Sequence, residues 1–406
     1  MRPTRFTVIV LLVLAGWLPG TPGFAAASTA PAGTRTDFSL DTGWRSIADD
    51  NDREKYPGFE QPGFDDHTWS PVDVPHNWDR YEGAHQVRHG DRHGFAWYRR
   101  TFTVPAGDAV QDRRFFLFFE GVGSYATVWV NGHLVGRHAG GLTTFTLDIT
   151  NVVAPGANVL AVRADHPNGI RDLPWVCGGS ELATGFSEGT QPFGIFRPVH
   201  LVVTAPIRIE PFGVHVWNDA PIRAAAVPHV RTEIKNYGAT SRTVTVTTRV
   251  IDHQGAAVAV SQTDCTLSPG QSTIVPQELP PVVSPHLWSL DDPYLYTVAT
   301  TLAEASATVD EVDTPFGFRW IEWPKPGGDA HQPFRLNGKP VFINGVADYE
   351  HLLGTSHAFT AEQIAARVHQ VEAAGFNAFR DAHHPHDLRF QEFWDRDGLL
   401  WWPQFG

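Results

Sequence analysis

Sulfur is scarce in this 406-residue chain, which holds two cysteines, Cys177 and Cys265, and one methionine. No CxxC pair and no His/Cys ligand spacing occurs, which excludes the usual zinc and dithiol motifs. The two cysteines fall in different predicted domains, so a bridge between them and a pair of free thiols both stay open. Positive charge is short as well. Thirty-one Lys and Arg face 44 Asp and Glu, a formal net charge of −13. That balance argues against nucleic acid as partner, because phosphate binding needs clustered basic side chains. Only one stretch is apolar enough to engage a membrane. Phe6 to Leu18 follows Arg2 and Arg5 and precedes Ala25, Ala26 and Ala27. This is the charged, apolar, small-residue order of a secretory signal peptide, and the run is too short to span a bilayer comfortably. A signal peptide is therefore expected over residues 1–27, with a secreted or periplasmic mature chain that no membrane holds.

Aromatics and turn formers are plentiful. Fourteen Trp and 26 Phe can fill several cores, and 31 Pro with 37 Gly imply many turns and short strands. From residue 28 to 205 the chain reads as strands. Arg114 to Glu120 is a continuous apolar run, Phe145, Leu147 and Ile149 alternate with polar residues, and Asn131-Gly132 favours a type I′ hairpin turn. An all-β jelly roll is predicted. Residues 206–315 stay β, with Val230, Thr232 and Ile234 alternating and then Val244, Val246, Thr248 and Val250. Their length suits an immunoglobulin-like sandwich. From 316 to 406 the class changes. Pro340 to Val346 reads as a strand. Thr360 with Gln363 forms a capping box before Ile364, Val368 and Val371 on one helix face, and Gly375 closes that helix. Phe376 to Arg380 is a second strand. A second helix over Asp387 to Asp397 carries Phe390, Phe393 and Trp394, stops at Gly398, and leads to a third strand from Leu399 to Phe405. Such a β-α-β-α-β run implies parallel strands and the opening of a (β/α)8 barrel, which needs roughly 250 residues to close. The chain is therefore expected to hold an incomplete barrel.

Several stretches carry a family resemblance. Pro75 to Trp78 (PHNW), Gly94 to Phe102 (GFAWYRRTF), Gly121 to Gly136 (GVGSYATVWVNGHLVG) and Gly194 to Val199 (GIFRPV) follow one another in the jelly roll. Trp288 to Tyr296 (WSLDDPYLY) ends the middle domain. Phe334 to Val346 (FRLNGKPVFINGV) and Phe376 to Pro385 (FNAFRDAHHP) open the barrel. Together they resemble glycoside hydrolase family 2 over essentially the whole mature chain. The resemblance implies a retaining exo-β-glycosidase, with galactosides as the default substrate and glucuronides, mannosides or arabinopyranosides as alternatives. A non-catalytic carbohydrate-binding protein is the competing class.

Retaining glycosidases use two carboxyl groups roughly 5–5.5 Å apart. By the resemblance both are Glu, at the ends of barrel strands four and seven, one of them preceded by Asn. No Asn-Glu dipeptide occurs. No catalytic residue is therefore assigned: both Glu are expected beyond Gly406, and the chain alone is expected to be inactive. The resemblance does carry over sugar-binding positions. Arg380 matches the family Arg at the end of strand two, where a guanidinium keeps a nearby carboxylate ionised. His383 matches the His of the HxP turn. His384 and His386 stand beside it, but no carboxylate is spaced with the three as a metal motif requires. Asp348 and Tyr349 follow strand one. Family β-galactosidases carry His at the Tyr349 position, a departure that weakens lactose as substrate. Glu188 matches a jelly-roll loop Asp that binds sugar hydroxyls. Trp175 fits an aromatic wall or the core. Gln404 stands where family members often have Glu, so a divalent cation is not supported, and no cofactor is expected.

Overall fold

The structure is a computed structural model that describes residues 34–79, 92–104, 112–167, 170, 192–325, 327, 332–350, 357–382 and 384–403. Residues 1–33, with the expected signal peptide, lie outside these, as do Cys177, Trp175, Glu188, His383 and Gln404.

Two antiparallel sheets face each other in the first domain. The larger has the strand order Ser70–Val72, Trp44–Asp49, Gly94–Val104, Gly156–His166, Tyr125–Val130, His133–Ala139. The smaller runs Thr36–Ser39, Val199–Thr204, Arg114–Phe119, Phe145–Asp148. The inward sets, such as Ala126, Val128 and Val130 against Leu117, Phe119 and Val199, are almost fully buried and form the core. The alternation within Tyr125–Val130 thus fixes which face looks inward. Asn131 and Gly132 both take positive φ, 52° and 82°, as a type I′ turn demands.

Seven principal strands build the second sandwich. Ile207–Asn218, Pro228–Asn236 and Ser272–Glu278 make one sheet. Ala257–Leu267, Arg242–Ile251, Tyr296–Glu304 and Ala307–Phe316 make the other. Ile207, Ile234, Val244, Val246 and Leu302 fill the space between them. Cys265 is a free, half-buried thiol, and burial pushes its pKa up. The sandwich is clasped to the jelly roll by Arg35, whose Nε and Nη2 donate to the two oxygens of Asp310 at 2.9 Å each, while Nη2 also donates to the Ile209 carbonyl. Asp310 is completely buried, so this pair is a fixed joint.

The third part begins differently from its sequence. The run Pro340 to Val346 is not one strand. Lys339–Pro340 folds back antiparallel on Arg335–Leu336, and the first parallel strand starts only at Gly345. Between them the Asn377 side chain replaces ladder bonds, accepting from Asn344 N and donating to the Phe342 carbonyl at 2.8 Å each. Gly345–Asp348, Ala378–Asp381 and Leu400–Trp402 then pair in parallel, as expected. Helix Ala361–Ala373 has the capping box of Thr360 and Gln363 and buries Ile364, Val368 and Val371. Helix Leu388–Asp397 is capped by Asp387 and buries Phe390 and Trp394, while Phe393 is only partly buried. Both helices lie on one face of the three strands, against Phe379. This is the opening of a (β/α)8 barrel. Among the described residues no helix is long and apolar enough to cross a membrane.

Gly375 and Gly398 both end helices with left-handed φ, 80° and 83°. Their surroundings differ. A Cβ on Gly375 meets nothing within 4 Å, whereas one on Gly398 would stand 2.4 Å from the Leu290 carbonyl oxygen of the sandwich. Gly375→Ala is expected to cost about 1 kcal/mol, the left-handed penalty alone. Gly398→Ala should cost clearly more, because backbone must also move. Urea midpoints of the two variants at unchanged slope check the ranking.

Candidate functional site

Strand alternation sorts the predicted barrel residues onto two faces. Val346 and Phe379 pack under the helices, so Asp348 and Asp381, two residues further along their strands, point the same way. Asp348 is accordingly ion-paired with Arg367 of the first helix. Ala347, Arg380 and Trp402 pair across the three strands on the opposite face, the one turned away from the helices. Arg380 is half-buried there, and Tyr349, just past the strand end, is exposed. The fold thus offers Arg380 and Tyr349 toward the same side and holds Asp348 apart from them. His383 and Glu188 lie outside the described residues.

Behind this face sits a charged cluster that the sequence reading did not single out. Glu350, two residues beyond the first parallel strand, is fully buried. Arg197, from the jelly-roll GIFRPV stretch, is equally buried and reaches it. Its Nη2 donates to Oε1 and Oε2 of Glu350 at 3.3 and 3.1 Å and to the Pro385 carbonyl at 2.8 Å. Glu350 Oε1 also accepts from the backbone N–H of Asp387, the cap of the second helix, at 2.6 Å. One carboxylate therefore ties the jelly roll, the first strand end and the second helix start. Leu142, Phe196 and Ala358 pack as a small apolar cluster in the same cross-domain seam.

Three histidines complete the cluster. His357 Nδ1 and His384 Nδ1 each lie 3.6 Å from Glu350 Oε2, and His386 Nδ1 lies 3.6 Å from Asp381 Oδ1. Burial by itself would raise the Glu350 carboxyl, but Arg197 and the imidazoles outweigh it and hold the group well below the usual carboxylate range. Burial drives His384 well below 6.5, so it stays neutral despite Glu350. For Asp381 burial prevails over His386, and its pKa rises.

The sequence reading found no carboxylate spaced with His384 and His386. Folding supplies two, Glu350 and Asp381, from neighbouring strand ends. Ligand atoms of Glu350, His357 and His384 all lie within 4.8 Å of one another. One carboxylate and two imidazoles is a donor set that suits zinc. The charge balance does not suit it, because a divalent cation would share its only anionic ligand with the Arg197 guanidinium. The cluster is better matched to holding domains together.

The comparisons with known proteins follow this architecture domain by domain. Residues 58–206 match the model of the glycosyl hydrolases family 2 sugar binding domain, 212–319 that of glycosyl hydrolases family 2, and 330–401 that of the family 2 TIM barrel domain. The chain belongs to glycosyl hydrolases family 2. Among its family 2 relatives, beta-galactosidase BoGH2A of Bacteroides ovatus is 30% identical over 90% of this chain and 40% of its own length. A beta-glucuronidase of Bacteroides fragilis is 26% identical over 82% of this chain and 46% of its own. The crystal structure of Bacteroides uniformis beta-glucuronidase superposes with a TM-score of 0.78 at 25% identity, covering 91% of this chain and 42% of that one. The chain thus spans less than half the length of these relatives.

The buried pair makes a pH statement. Glu350 has a depressed pKa, so its contribution is present above its ordinary 4.5 and lost as pH falls below that. His384 is held neutral, so acid also favours the unfolded chain once pH drops below its ordinary 6.5. Arg197→Met should cost about 3–5 kcal/mol, because it strands a buried carboxylate. Denaturation midpoints between pH 8 and about 2 check both: wild type should weaken steadily toward acid, and Arg197→Met should lose the part below about 4.5.

Proposed function

We propose that this chain is the substrate-framing portion of a secreted, retaining exo-β-glycosidase acting on terminal β-galactosides. The observation that carries this reading is the placement of Arg380, half-buried at the C-terminal end of a parallel strand, on the face turned away from the helices. Barrel active sites sit at that end. A guanidinium there fits a nucleophilic carboxylate that must stay ionised and oriented. Tyr349, past the neighbouring strand end, would offer a ring and a hydroxyl to a sugar, and by the family resemblance His383 would add an imidazole with one donor and one acceptor. By the family resemblance, Glu188 would accept hydroxyl hydrogens. The mechanism is double displacement through a glycosyl-enzyme. Its two carboxyls are assigned to no residue of this sequence, and the reading places them in polypeptide following Gly406. In support, the relatives named above are more than twice as long as their match to this chain.

Glucuronides form the second reading, supported by the relatives that are themselves beta-glucuronidases and by the absence of His at position 349. A polypeptide extended through the open reading frame, assayed on chromogenic β-galactoside and β-glucuronide, decides between the two. Hydrolysis of neither overturns the proposal. Arg380→Ala is expected to lower kcat/KM on the preferred glycoside by about 10²–10³-fold, and unchanged turnover would remove Arg380 from the site. Export is part of the same reading. Mass spectrometry of protein recovered from periplasm or medium should find an N-terminus near Ala27 or Ser28.

A further inference from the structure

The outward face of the six-stranded jelly-roll sheet is only partly covered. Tyr56, Phe59, Phe64 and Trp69 close over Trp97 and Trp129 as a second small core. Beyond it lies an open cleft of about 570 Å³ whose lining includes Arg53, Phe95, Tyr125, Thr127, Arg137 and Asp165. Register explains why these side chains meet. Phe95 and Tyr125 each pair with Asp165, one from either side, and Thr127 pairs with Arg137. All lie on the face opposite the inward set Ala126, Val128 and Val130.

Charge in the cleft runs against the chain as a whole. Asp165 is already doubly engaged: Arg53 Nε donates to its Oδ2 at 3.1 Å and Arg163 Nε to its Oδ1 at 2.7 Å. Arg137 is exposed, has no acidic partner among the described residues, and lines the same cleft. Asp49, on the Phe95 row, is taken by Lys55. Two guanidiniums, Arg53 and Arg163, therefore share one carboxylate, and a third, Arg137, stands in the cleft without one, beside two aromatic rings. The combination asks for a ligand with an apolar flat face and an anionic edge. The volume falls within the usual range for small-ligand sites.

We infer that this cleft is a subsite for an acidic saccharide, with Phe95 and Tyr125 against the sugar faces and Arg137, assisted by Arg53, forking onto a hexuronate carboxylate. The inference rests on the reading of the chain as part of a glycan-acting enzyme, and it places a second contact with the glycan on the jelly roll, outside the barrel. A long polyanion is disfavoured by the net charge of −13.

The test is calorimetric titration of the full chain with a short, unsulfated oligohexuronate, against a neutral oligogalactoside of equal length. Oligohexuronate binding that weakens with salt, and that Arg137→Ala weakens about tenfold or more at unchanged melting temperature, is the expected result. No oligohexuronate binding, equal affinity for the neutral oligomer, or undiminished binding by Arg137→Ala each overturns the subsite. Binding is read without turnover, so a chain that binds but belongs to no active glycosidase would fail the functional reading and leave this one standing.

Discussion

The Arg197–Glu350 pair is the constraint on which the relative placement of the domains depends. Neither group is tolerable alone at zero to two per cent exposure. An unpaired carboxylate at that depth would take up a proton, and an unpaired guanidinium would have to drag water inward. Each is supplied by a different domain, so the jelly roll and the first barrel strand hold their charges only when docked. The Asp387 N–H on the same carboxylate extends the dependence to the second helix. Buried ion pairs are weak arguments for stability and better arguments for register. Here the register in question is that of one domain against another.

Other joints work by different means. Trp288 of the middle sandwich donates its indole N–H to the Asp395 carbonyl at 2.7 Å, near the end of the second helix, and carries Arg319 over its ring at 4.5 Å. Gly398 lets the same helix end touch the Leu290 backbone. The indole-to-carbonyl bond and the backbone approach at Gly398 carry no charge pair across the joint. The three parallel strands and their two helices are thus held from two sides, by charge at the strand ends and by backbone proximity at a helix end. On the face carrying Arg380, Leu400 packs against the Trp288 cluster and Trp402 meets Trp323 edge-on.

Much of the fold was legible because its signals are local. The capping box at Thr360, the Asn131-Gly132 turn and the alternation in Tyr125–Val130 are each decided within a few residues, and the structure has all three. The Pro340 to Val346 run misled for an equally physical reason. Apolar continuity does not say which backbone groups find ladder partners, and here a distant Asn377 side chain took them. The Glu350 cluster was invisible for the same cause. Arg197, Glu350 and His384 are far apart along the chain, and no spacing rule joins them. A hint existed, since Arg197 and His384 both fall inside the quoted motifs and Glu350 adjoins Tyr349, but a motif names a residue without naming its partner. The parity of Asp348 could have been read in advance, since it shares a face with Val346.

The clasp at Arg35 carries a consequence for how far the N-terminus can be shortened. Among the described residues Asp310 has no counter-charge as close as Arg35, and Thr34 lends its carbonyl to Arg113 at 2.6 Å. A peptidase that trims anywhere short of Thr34 leaves this joint whole. Cutting two residues deeper would leave a solitary anion sealed inside the middle sandwich and loosen the seam that keeps both β domains in line. The fold itself thus sets a hard limit on how far the N-terminus can be trimmed without losing this joint.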